Sequence, residues 1–200
     1  MERRFGAWVF AAVLASSSAM AQVIEYMSNG MKYQTLTRSG VTVIFTHLPN
    51  RIHDYTIIQA AISNGSEAPY VIRPEDFSYV RGDGMVVKAV GARTIVDMLM
   101  QKGTASDVIK LVTTYEAGVY GNPHFKSNNG YEQRREAALA MFGTKMKAAA
   151  AASAVALAQT RLKPGDSTDG AVFFASEGKP LVNGKVVVRT STDLFEFNSE

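Results

Sequence analysis

Three histidines, His47, His53 and His124, are the residues from which metal or acid–base chemistry would have to be built in this chain, which has no cysteine. Two ligands on one helix face need histidines four apart, so that both imidazoles meet one ion, and no two of these are so placed. A serine or threonine nucleophile needs a base beside it, yet no Gly-x-Ser-x-Gly elbow occurs, and there is no glycine-rich phosphate loop. The histidines therefore read as surface or partly buried side chains. No metal or cofactor is implied.

Other suggestive stretches have plainer readings. Arg81-Gly82-Asp83 spells the tripeptide that integrins read, but Gly82 and Gly84 around Asp83 are also what a β-turn requires. Asn64-Gly65-Ser66 fits a glycosylation acceptor and, equally, a turn that closes a strand. Met98, Met100, Met141 and Met146 read as core filler. The run Ala148 to Ala152, extended through Ser153 to Ala158, is strongly helix-forming. Its small side chains would let another helix approach closely, either inside the protein or from a partner. Ala149, Ser153 and Ala156 are the residues proposed for such an interaction.

These residues are set in a chain that starts with a leader pattern. Met1 to Arg4 is basic, Phe5 to Leu14 is almost wholly apolar, and small residues stand at Ala19 and Ala21. That is the pattern of a secretory signal peptide over residues 1–21 with cleavage after Ala21, and its apolar run is too short to span a bilayer. Residues 1–21 hold two arginines and one glutamate, so 21 basic and 18 acidic side chains become 19 and 17, a net charge of +2. The balance argues against nucleic acid or an anionic membrane as the main partner. An exported chain without cysteines must rest on its hydrophobic core, for which residues 22–200 suffice.

Along the rest of the chain the hydrophobic period changes twice. From Val23 to Val80 it is that of β-strands: Val23–Met27 and Met31–Leu36 around Asn29-Gly30, then Val41–Thr46, Tyr55–Ile62, Tyr70–Ile72 and Phe77–Val80. From about Ala92 it is helical. A short helix carries Ile95, Met98 and Leu99 and ends near Gly103, and a second places Val108, Leu111, Val112, Tyr115 and Val119 on one face behind a Thr104–Asp107 capping box. A third is capped by Asn129, with Glu132 at its third position, and meets no proline before Pro164. Run unbroken from Gly130 to Leu162 it would be about 50 Å long, with Phe142 and Met146 anchoring its first half to a core and its Ala-rich half overhanging, unless Gly143 breaks it. From Ala171 the period is β again: Val172–Phe174, a hairpin of Leu181-Val182 and Lys185–Arg189 about Asn183-Gly184, and a closing strand with Phe195 and Phe197.

Gly40-Val41-Thr42-Val43, Ala61-Ile62-Ser63-Asn64-Gly65-Ser66, Pro74-Glu75-Asp76-Phe77, Leu162-Lys163-Pro164-Gly165-Asp166-Ser167 and Gly170-Ala171-Val172-Phe173-Phe174 together resemble the bacterial extracytoplasmic immunoglobulin-like domains of unknown function. Some members of that group are labelled as telomeric repeat-binding factor-like. The resemblance implies an antiparallel β-sandwich, and the helical block departs from it.

The expectation is a mixed α and β chain, an immunoglobulin-like antiparallel β-sandwich over residues 22–200 with a helical insertion at about 92–163. It would act in the periplasm or outside the cell as a non-catalytic binding or assembly module, with an unidentified protein partner or by self-association. An envelope enzyme or metal-dependent hydrolase is one alternative, and a protease-inhibitor-like binder using the sandwich loops is another.

Overall fold

Asn29 and Gly30 take φ angles of 48° and 76° and join β1 (Ile24–Ser28) to β2 (Met31–Arg38), with Ser28 opposite Met31. Ser39 and Gly40, also at positive φ, turn β2 into β3 (Val41–His47), so two polar pairs set the register of the first three strands. The computed structural model describes residues 22–126, 129–177, 181 and 183–199; the expected signal peptide over 1–21 lies outside them.

Beyond β3 come β4 (Tyr55–Asn64), β5 (Tyr70–Ile72), a 3₁₀ turn at Pro74–Asp76, β6 (Phe77–Arg81) and β7 (Val86–Val90). Four helices follow: α1 (Ala92–Lys102), α2 (Ala105–Tyr120), α3 (Tyr131–Leu139) and α4 (Thr144–Val155). The chain ends with β8 (Thr160–Leu162), β9 (Ser167–Ala175), β10 (Gly184–Arg189) and β11 (Leu194–Ser199).

The protein is thus mixed α and β, built on one large antiparallel sheet. Among the described residues nine strands lie in the order β1-β2-β3-β4-β9-β7-β6-β10-β11, with β5 and β8 as a separate pair. Because β9 enters between β4 and β7, the two β regions of the sequence share one sheet. β7 joins its halves: Val86 to Lys88 pair with β6, while Ala89 and Val90 pair with β9. The sheet curls into a half-barrel, which brings the Phe197 ring of β11 within 4.9 Å of Phe45 on β3.

Both faces of the central strands are buried. Toward the inside of the curl, Ile58, Ala60 and Ile62 of β4 and Val172 and Phe174 of β9 join Phe45, Phe195 and Phe197. On the outer face Ile57, Ala171 and Phe173 lie beneath the helices with Ile95, Leu99, Leu111, Tyr115 and Ala148. Covering on both sides is why β4 and β9 read as nearly continuous apolar runs rather than alternating ones.

Two expectations are corrected. The third helix does not run from Gly130 to Leu162: Gly143, at φ 78° and ψ 140°, separates α3 from α4, a backbone state that glycine adopts without a Cβ penalty. α4 ends at Val155, after which Ala156 is extended and bridges Ala171 in parallel, and Thr160–Leu162 pairs with β5. Unpaired sheet backbone there competes with helix continuation. Asn183-Gly184 does not turn a hairpin either, since Gly184 opens β10 with Arg81 and Ser199 as its partners.

The start of α2 follows the sequence, with Thr104 and Asp107 exchanging both capping bonds. At α3 the expected Asn129 cap is shifted by one residue: Gly130, at φ 74°, takes the cap position without a side-chain cap bond, and Asn129 Oδ1 accepts the Tyr131 N–H at 2.9 Å from just ahead of it. Arg134 donates to Ala154 O at 3.3 and 3.2 Å, satisfying a carbonyl at the end of α4.

Candidate functional site

The break at Gly143 decides which side chains reach solvent. With α3 closed at Leu139 and α4 opened at Thr144, Phe142 projects from the turn between them at 93% exposure, beside the exposed Met141. Met146 on α4 and Ile109 on α2 are exposed as well. A shallow cleft of about 380 Å³ adjoins them, lined by Ala105, Val108, Ile109, Gly143, Thr144 and Lys147. Exposed apolar side chains concentrated on one end of a helical layer mark a contact surface more than scattered ones do.

This tip is also basic. No aspartate or glutamate occurs between residues 137 and 147, whereas Lys145 and Lys147 lie in the first turn of α4. Lys102 ends α1, whose neighbouring Gly103 packs so tightly on α4 that a Cβ there would stand 2.9 Å from that of Ala148. None of these three lysines forms an ion pair with a described residue. Asp107, in the first turn of α2, is buried and holds the Thr104 N–H at 2.9 Å and hydroxyl at 2.8 Å.

The sequence pointed to the other end of the same segment. Ala149 and Ala156 are 3% and 8% exposed, Ala149 under the helices and Ala156 against β9, and only Ser153 faces solvent. The three do not form one surface. Met98 packs on the core as expected, but Met100, Met141 and Met146 are exposed. The signal for the tip was present as Gly143 between Phe142 and Lys145.

Groups suited to acid–base work are tied into the framework. His53 Nε2 lies 3.2 Å from Asp107 Oδ2, joining the turn before β4 to the α2 cap. His47 packs edge-on against Phe45 at 5.4 Å between ring centres, and burial lowers its pKa. His124 meets the edge of Tyr26 at 5.1 Å. Among the described residues no three His, Cys, Asp or Glu side chains gather in a way that could hold a metal.

A buried polar cluster lies where α2 and α3 meet β9. The Tyr115 hydroxyl donates to the buried Asp169 carboxylate, and Asn129 Nδ2 donates to Asp169 Oδ1 at 2.8 Å and O at 2.9 Å. The Tyr131 hydroxyl donates to Glu116 at 3.1 Å, Arg135 pairs with the same carboxylate at 3.0 Å, and the Tyr115 and Tyr131 rings stand 4.7 Å apart. Burial first, then the facing carboxylate, pushes both phenols far above their ordinary pKa. They are hydrogen-bond donors at any physiological pH, and the cluster serves as a strut between helices and sheet.

The remaining sequence candidates are turns. Gly84 N–H donates to Arg81 O at 2.9 Å, and Asp83 Oδ1 accepts the Met85 N–H at 3.0 Å. Asn64 is wholly buried, its amide donating to Ala68 O at 2.8 Å and its Oδ1 accepting from Ser66, so that side chain is occupied in closing the loop. Among the described residues no helix is long and apolar enough to cross a membrane. No family model, curated protein or solved structure matches the chain.

Proposed function

We propose that the chain is an exported envelope protein, periplasmic or secreted, that acts as a non-catalytic binding or assembly module and makes its contact through the α3–α4 turn. The observation that carries this is Phe142, a large aromatic side chain left 93% exposed amid Met141, Met146 and Ile109. The leader pattern of residues 1–21 supports export. An immunoglobulin-like kinship of the β framework, proposed from the sequence, draws support from the Phe45–Phe197 contact, in which the inner faces of β3 and β11 meet as those of facing sheets do.

The test combines processing with contact mapping. Intact mass should show an exported chain beginning at Gln22, and a photo-crosslinking amino acid at position 142 should yield adducts in intact cells while one at the exposed Ser153 does not. Retention of Met1 with the chain left in the cytosol, or adducts from position 153 alone, would overturn the proposal.

A further inference from the structure

We propose that the α3–α4 turn docks on an anionic phospholipid surface, with Phe142 and Met141 entering the interface and Lys145 and Lys147 lying against lipid phosphates; this rests on the binding-module function above. Phe142, the largest side chain of the turn, is 93% exposed and is not part of the lining of the adjoining cleft. A projecting aromatic suits a fluid surface that can close around it, whereas a peptide partner would need a deeper groove than the shallow cleft beside Ile109.

Charge selects among the occupants. Lys145 and Lys147 stand in the first turn of α4, where the helix dipole opposes a positive charge. Helix stability therefore does not account for them, and no described carboxylate pairs with them. Ala105 and Lys147 line the same cleft, which brings the end of α1, with Lys102, to this side of the molecule. A second copy docked through the same face would set these lysines against their equivalents, while an anionic bilayer pairs them with phosphate as the lysine stems lie along the apolar boundary. The net charge of +2, which argues against an anionic membrane when the chain is taken as a whole, does not decide the matter at the tip, because screening limits each charge to roughly 10 Å and the basic residues there act locally.

Vesicle flotation with the exported chain tests the proposal. It should bind vesicles of phosphatidylglycerol and phosphatidylcholine, bind those of phosphatidylcholine alone far less, and release as salt is raised. Phe142→Ala should weaken partition about tenfold, and Lys145→Glu with Lys147→Glu by more than about 25-fold, both at unchanged melting temperature. Ser153→Arg should leave it unchanged. Trp8 of the leader is the chain's only tryptophan, so Phe142→Trp gives the processed protein a single reporter whose emission should shift to the blue on binding.

Failure to bind phosphatidylglycerol vesicles, or binding indifferent to the lysine changes, overturns the lipid surface. A concentration-dependent dimer abolished by Phe142→Asp assigns the tip to a second copy and overturns it equally. In either case protein adducts from position 142 would leave the binding-module function standing, whereas their absence would remove both.

Discussion

Gly170 of β9 lies directly against Leu157, so that a Cβ on Gly170 would fall on the Leu157 backbone, closer than real side chains approach. The Leu157 N–H donates to Ala171 O at 2.9 Å, and this contact is how the chain leaving α4 is laid along the central strand. Gly170→Ala should cost about 3 kcal/mol or more through overpacking, lowering the melting temperature by roughly 6–12 °C. An unchanged melting curve would mean that the two segments separate easily.

Ala149→Arg and Ser153→Arg should part company. A charge at the buried Ala149 has no partner and should destabilise on the order of 4 kcal/mol, whereas Ser153 faces solvent and its change should stay within about 0.5 kcal/mol. Urea titration of the two single variants measures this, and equal effects would contradict the burial of α4.

Tyr115→Phe removes a hydroxyl donor from the buried Asp169 carboxylate. The expected loss is about 1–3 kcal/mol, with the tertiary signal of the helices melting earlier. If Tyr115→Phe is as stable as the parent, the strut between α2 and β9 contributes nothing.

Stability should fall as the solution is acidified below about pH 6.5. Burial lowers the His47 pKa in the fold, so over that range the unfolded chain binds more protons than the folded one, and stability is lost as pH drops through the unfolded and then the folded pKa. His47→Gln should flatten the dependence between pH 7.5 and 5.5 in denaturant titrations, and a slope identical to that of the parent would place its origin elsewhere.

Excising residues 92–163 in favour of a short linker should leave no cooperatively folding protein, although the loop itself is cheap to shorten. The excision uncovers Ile57, Ala171 and Phe173 and removes β8 together with Leu157, which belongs to the inner core. A soluble β protein with a sharp unfolding transition would show that the helical layer is dispensable.

Features governed by neighbours in the chain can be read without the fold. The Asn29-Gly30 hairpin, the Thr104–Asp107 cap, the Gly103 stop and most strands are local, since each depends on backbone preferences or on partners within four residues. Tertiary structure alone decided that β9 threads between β4 and β7, that β7 serves both halves of the sheet, and that Tyr115 finds Asp169. These pairings join residues far apart in sequence, and periodicity carries no record of partner. It also reversed the expected roles of the two halves of the 130–162 segment. Small alanines let α4 sink among α1, α2 and α3, while the turn at Gly143 left Phe142 outside. Helix-forming strength can be read from a window of residues, but which face is covered depends on how closely neighbouring elements approach, and that distance is set only when the whole chain has packed.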